Sequence, residues 1–363
     1  MGKNRPLSIE NPREMVYYYV IKYIPNSLGG EIMYGLDVLV QKVLLLTVMI
    51  ALGVILRLTK KADGNLAKGF SDVVVYLTQP AMIIYSFLDA PFSKRIIITS
   101  LCVLGFSMVL HLGYFYVSKL LYKKAPEQLQ LILRYSTIIT NAGFMGIPLI
   151  SELISPEAAI YATFYVVSFN VYNWSLGCYM YSKDRSYISA KKMLLNPATI
   201  PTYIGLALFI IGGLWTVPDG LQPIFDSFIV PVIKDDVLFL LKSTVIPMSM
   251  MMIGIRLAES DFKTMFKDKY LPILTVVRLI LIPFAVMGIM KLVELTGLIP
   301  DSILTPAATV LVISSSTPVA AMANIFAERF DGDAVYASKI VSVTTLLSLA
   351  TMPMIAAVLS KVF

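Results

Sequence analysis

Ten apolar stretches, separated by short polar connections, run through this chain. They cover residues 38–58, 68–90, 96–119, 128–151, 156–182, 198–216, 237–257, 270–292, 301–327 and 334–360. A helix needs roughly 20 apolar residues to cross the hydrocarbon of a bilayer. Inside that hydrocarbon only helices and closed barrels satisfy every backbone group. Hydrophobic residues make up 57% of the chain and charged residues 15%, where a soluble domain carries about 25% charged. A soluble core built from 363 residues cannot hide that much apolar surface, so the bilayer must act as solvent for it. The expected class is an all-α polytopic membrane protein, and none of the connections is long enough to fold as a soluble domain.

The connections alternate in charge. Arg57, Lys60, Lys61 and Lys68 follow span one; Lys119, Lys123 and Lys124 follow span three. Lys183, Arg185, Lys191 and Lys192 follow span five, and Arg256, Lys263, Lys267 and Lys269 follow span seven. The other connections are poor in cations. Cytoplasmic loops collect Lys and Arg, so the odd-numbered loops are expected in the cytoplasm and both termini outside the cell membrane. Lys3, Arg5, Arg13 and Lys22 oppose this orientation and are outweighed by the remaining loops. The net charge of +7 is explained by this bias, and nucleic acid is not an expected partner.

The N-terminal extension, residues 1–37, does not resemble a cleavable signal. Residues 1–13 are polar, and Met15 to Ile24 is apolar and aromatic but too short to span before Pro25 ends it. An interfacial helix or a disordered leader fits it. Cys102 and Cys178 both lie in apolar segments and read as small core residues. With a single histidine and no Cys/His cluster, neither a metal site nor a cofactor is expected.

The two halves share landmarks. Thr78-Gln-Pro80 in span two is matched by Val245-Ile-Pro247 in span seven. Pro80 is followed after 68 residues by Pro148, and Pro247 after 71 by Pro318. Repeats of five spans each, 38–182 and 198–360 with a linker at 183–197, insert with opposite topology because five is odd. Such inverted repeats place a binding site near the midplane, on helices that are broken there.

Two segments carry the marks of broken helices. Asn141-Ala-Gly-Phe-Met-Gly-Ile-Pro148 interrupts span four, and Ser314-Ser-Ser-Thr-Pro318 interrupts span nine. A half-helix that begins after a break offers free N–H groups and partial positive charge to an anion. Asn141, Ser315, Ser316 and Thr317 add side-chain hydrogen bonds, and Gly143 and Gly146 let backbone approach a ligand. Serines and threonines in membrane helices also bond their own i−4 carbonyl or a neighbouring helix, so each hydroxyl has that alternative. Asn170 and Asn173 in span five join the site or tie span five to span four. Arg278 in span eight attracts substrate, snorkels to the cytoplasmic surface or makes a structural hydrogen bond. His111 in span three carries a coupling proton or is a hydrogen-bonded core residue. No Asp or Glu falls near the centre of any span, which weakens a cation-exchange reading.

Asn141-Ala-Gly-Phe-Met-Gly-Ile-Pro-Leu149 resembles the span-four signature of the auxin efflux carrier family. Asn196-Pro, Val245 to Gly254, Arg278 to Pro283 and Thr317-Pro-Val-Ala-Ala-Met-Ala are similar to further family segments in the same order. The resemblance covers about residues 38–360. It implies ten helices in two inverted five-helix repeats. Helices 1, 2, 6 and 7 would form a scaffold, often used for homodimer contacts. Helices 3–5 and 8–10 would form a moving transport domain, with helices 4 and 9 crossing at Pro148 and Pro318. It implies transport of small organic anions, auxin in plants and dicarboxylates such as malate and malonate in bacterial relatives, by an elevator mechanism. The chain lacks both the long central loop and the span-three carboxylate of some plant members.

The main expectation is therefore a secondary carrier of a small organic anion and not an enzyme. The alternative within the same fold group is a sodium-coupled symporter of the bile-acid-carrier type. A sensor or intramembrane protease would need an output domain, paired intramembrane Asp residues or a His-Glu-x-x-His motif, and the chain has none of these.

Overall fold

A computed structural model of the chain describes residues 36–182, 191, 194–195, 199–214, 225–259, 268–330 and 332–363. The Met15–Ile24 segment and most of the 183–197 linker lie outside the described residues. Helix α1 spans Leu36–Leu58, α2 Gly64–Asp89, α3 Lys94–Leu121 and α4 Glu127–Ile138. Helix α5 (Ile147–Leu153) is entered through a π-helical turn at Ala142–Gly146. Helix α6 (Pro156–Tyr172) continues through another at Asn173–Gly177 into Cys178–Ser182. Then come α7 (Ile200–Leu214), α8 (Phe239–Ala258), α9 (Tyr270–Leu295), α10 (Asp301–Ser316), α11 (Met322–Arg329) and α12 (Ala334–Val362).

Each apolar stretch read from the sequence is helical over most of its described length. Among the described residues, five helical runs are long and apolar enough to cross a membrane: Gly64–Asp89, Lys94–Leu121, Val230–Ala258, Tyr270–Leu295 and Ala334–Val362. Their outward faces carry large apolar side chains, among them Leu101, Val109, Leu240, Leu292 and Met354. The molecule is an all-helical, multi-pass membrane protein; among the described residues it has no strand.

The prolines explain where the helices widen. A proline inside a helix lacks an N–H and crowds the carbonyl four residues back. Pro80, Pro148 and Pro283 each stand two residues beyond a π-helical turn, at Val74–Thr78, Ala142–Gly146 and Val277–Leu281. In each case the residue before the proline sends its N–H five residues back: Gln79 to Val74, Ile147 to Ala142 and Ile282 to Val277. Widening by one residue relieves the crowding while the helix continues.

Helices α1, α2, α7 and α8 pack on one another, and α3, α6, α9, α10 and α12 form a second packed set. Within the first set α1 and α8 meet backbone to backbone. A Cβ at Gly53 would lie 2.2 Å from the Met251 carbonyl oxygen, and one at Gly254 would lie 2.0 Å from that of Ile50. Only glycine permits such an approach, which is how helices gain contact in lipid without a hydrophobic driving force.

Candidate functional site

Two helices end abruptly in the middle of the second set. α4 stops at Ile138, and Ile139 turns extended (φ −98°, ψ 121°). α10 stops at Ser316, and Thr317 does the same (φ −64°, ψ 150°). Thr317 precedes a proline, whose ring excludes it from the helical region. The two extended pieces then pair. Thr140 and Val319 form an antiparallel bridge, the Asn141 N–H donates to the Pro318 carbonyl at 2.8 Å, and the Ala320 N–H to that of Ile139 at 3.5 Å. Backbone that would be orphaned in hydrocarbon is thus satisfied by the other break.

Two side chains from outside the breaks hold the pair. Thr344 of α12 accepts the Val319 N–H at 3.2 Å on its Oγ1. Gln79 of α2, from the other packed set, donates from Nε2 to the Gly143 carbonyl at 3.0 Å. Beyond the crossing each chain re-enters a helix. Met145 and Gly146 send their N–H groups to the Asn141 carbonyl, and Ala323 sends its own to Ala320. The N–H groups of the residues between have no acceptor within their own turn, as at any helix start. Gly143 and Gly146 line this stretch. A Cβ at Gly143 would meet only Gln79 Nε2, at 3.6 Å, and one at Gly146 only ordinary contacts at 3.4 and 3.5 Å. Protein packing demands glycine at neither position.

The side chains at the two breaks differ. Asn141 is 7% exposed, and no hydrogen bond engages its side-chain amide among the described residues. Ser315, Ser316 and Thr317 donate their hydroxyl hydrogens to the carbonyls of Val312, Ile313 and Ser314, each at 2.8 Å. What they retain is oxygen lone pairs. Pro148 stands away from the unwound backbone. The resemblance implies a crossing at Pro148, but the chain unwinds earlier, at Ile139–Asn141. Pro148 lies inside the continuous helix that begins at Ala142, and the π-helical turn before it relieves its crowding.

Arg278, read as a substrate attractor, a snorkelling residue or a structural hydrogen-bond donor, is 0% exposed. Burial rules out snorkelling. None of its three guanidinium nitrogens has a hydrogen-bond partner among the described residues. Its electrostatic neighbours are Tyr165 of α6 and Tyr114 and His111 of α3, and no carboxylate is among them. The Tyr165 hydroxyl faces Thr140 and that of Tyr114 faces Ser315, neither in a well-formed hydrogen bond. Arg278 is thereby placed beside the crossing.

His111 is buried, with Nδ1 2.7 Å from the Ser107 carbonyl and 3.4 Å from Ser168 Oγ. A carbonyl only accepts, so Nδ1 carries the hydrogen and Nε2 keeps its lone pair. The ring stacks on Tyr172 at 5.3 Å between centroids. Asn173 accepts the Tyr135 hydroxyl at 2.6 Å and so ties α6 to α4. The Nδ2 of Asn170 is buried without a partner. Sequence reasoning missed Gln79, Thr344, Tyr114 and Tyr165. Gln79 carried a signal, as a lone amide beside a proline in an apolar span; the other three look like any polar or aromatic residue of a membrane helix.

Known proteins resemble the chain along most of its length. The family described as membrane transport protein matches residues 38–356. A protein of Methanothermobacter thermautotrophicus, described as an uncharacterized transporter, is 23% identical over 325 residues. That match covers 88% of this chain and 98% of the relative.

Proposed function

We infer what this chain does from the family to which it belongs: over residues 38–356 it is a member of the membrane transport protein family, that of the auxin efflux carriers. The chain is a membrane transporter. The proposed cargo is a small organic anion, and the observation that carries this reading is the crossing. Two half-helix starts converge where Asn141 has an uncommitted amide and where a buried guanidinium stands nearby without a counter-charge. A carboxylate fits the crossing: it accepts from backbone N–H groups and from an amide, and the nearby arginine raises the local anion concentration.

The proposed mechanism is an elevator acting between two inverted five-helix repeats. The set α1, α2, α7 and α8 serves as the scaffold and as the surface for a homodimer. The set containing the crossing moves against it, carrying the anion across. Gln79, which reaches from the scaffold to Gly143, marks the sliding interface. The protein is proposed to lie in the cell membrane with both termini outside, on the strength of the loop charges. One observation favours sodium coupling as a second reading: the hydroxyl oxygens of Ser315, Ser316 and Thr317 present lone pairs, which suit a cation.

The test is uptake of labelled mono- and dicarboxylates into proteoliposomes, with imposed pH, sodium and voltage gradients. Saturable uptake of one acid fixes the cargo, and the gradient that drives it names the coupling. Folded, inserted protein that takes up no acid overturns the organic-anion reading. Strict sodium dependence establishes the second.

A further inference from the structure

A guanidinium stays charged at any pH a protein meets, and burying it without a partner costs several kcal/mol. Buried polar groups in native proteins are nearly always hydrogen-bonded. Around Arg278 that rule fails several times at once. All three of its nitrogens and the Tyr114 and Tyr165 hydroxyls are buried without a partner among the described residues. These atoms come from α9, α3 and α6, so the gap is shared by three helices. A water molecule would satisfy hydrogen bonds there but would leave the charge uncompensated. No Asp or Glu is among the electrostatic neighbours of Arg278. The missing component must therefore bring a negative charge.

We propose that Arg278, Tyr114 and Tyr165 form a built site for one compact monovalent anion, a halide or a carboxylate group, that completes the protein core beside the crossing. The guanidinium supplies the charge and a planar fork of donors, and the two phenols donate from the opposite helices. All three are donors toward an anion, which is the pattern such a ligand requires. Asn141 has no part in this site, and the site exists whether or not the crossing carries an organic acid. The two sources of the anion are a free inorganic halide and the acid group of the cargo.

Thermal unfolding of the purified full chain in detergent tests this, with sodium chloride or sodium acetate titrated at constant ionic strength. The balancing anion is the bulky 2-(N-morpholino)ethanesulfonate. A ligand that binds only the native state raises the unfolding temperature in a concentration-dependent way. The expected result is an upward shift above the bulky-anion baseline with at least one small anion, absent in Arg278→Gln. A shift with chloride identifies a halide site, and a shift with acetate alone identifies a carboxylate subsite. If Arg278→Gln does not fold, Tyr114→Phe/Tyr165→Phe keeps the charge and removes both donors. The half-effective concentration should then rise by about 10-fold or more. An unfolding curve indifferent to both small anions overturns the proposal. So does a response that survives Arg278→Gln, or one unchanged in the double phenylalanine variant. Failure of carboxylate uptake would leave these outcomes untouched, so the two readings fall separately.

Discussion

The two breaks have nearly the same backbone and very different side chains. At each, a helix stops, three or four residues leave the helical path, and a new helix starts; the two pieces pair through two N–H···O=C bonds. At the second break Ser315, Ser316 and Thr317 bond their own turn, with only Ser314 Oγ buried and unpartnered among the described residues, whereas at the first no hydrogen bond engages the Asn141 amide among the described residues. The break from the first half is also the one in contact with the other packed set, through Gln79. The difference teaches that a similar chain path at the two breaks does not bring the same side-chain chemistry. In the proposed mechanism the second break shapes the site, and the first recognises the cargo and meets the other packed set.

Asn141→Ala should sharpen this contrast most. Losing a hydrogen bond to a charged group costs about 1.5–3 kcal/mol, which lowers affinity about 10- to 100-fold. In proteoliposomes the variant is expected to lose uptake over that range or entirely, by a rise in KM, with its thermal unfolding unchanged. Normal uptake from folded Asn141→Ala protein would move recognition elsewhere.

Thr344→Val comes next, and it acts on the second break through shape alone. Valine matches threonine in outline but leaves the buried Val319 N–H without an acceptor, which costs about 1–3 kcal/mol. The unfolding temperature should fall and uptake should fall with it. Unchanged stability would mean that the second break does not depend on α12.

How much of this was legible beforehand follows from what each feature depends on. Span positions depend on length and hydropathy, which are local, and so 270–292 reappears as Tyr270–Leu295. The breaks were legible as places but not to the residue. Glycine and proline at 143–148 suggested unwinding there, yet the chain keeps a widened helix through Ala142–Gly146 and unwinds at Ile139–Asn141. What tips the balance is pairing with Pro318 and Ala320, nearly 180 residues away. The same holds for Arg278. The sequence shows a charge in an apolar span, but whether it snorkels depends on which helices surround it. Tyr114 and Tyr165 acquire a role only because α3 and α6 bring them to that arginine.

Gln79→Leu should have a smaller effect of a different kind. Its bond to Gly143 joins the two packed sets, so it must form and break in each cycle if one set slides past the other. A neutral hydrogen bond is worth about 0.5–1.5 kcal/mol, or roughly 2- to 10-fold in a rate. The variant should change maximal uptake velocity by that factor with KM nearly constant, the reverse of Asn141→Ala. A change confined to KM would place Gln79 with the recognition groups and remove the evidence for a sliding contact.

Ser316→Ala should do least. The hydroxyl bonds the Ile313 carbonyl within its own helix at 2.8 Å, so the substitution removes one neutral, local hydrogen bond and no group offered to the cargo. The loss is expected to stay under about 1 kcal/mol, or within roughly 5-fold in uptake at subsaturating cargo. The prediction has force because the residue lies beside the crossing and looks, by position, as important as Asn141. If Ser316→Ala instead matched Asn141→Ala, the oxygen lone pairs rather than the hydroxyl hydrogen would have to be the working feature. Lone pairs bind cations, so sodium dependence of the residual uptake would then decide whether the second break is a coupling site and the division of labour between the breaks is one of ion and anion.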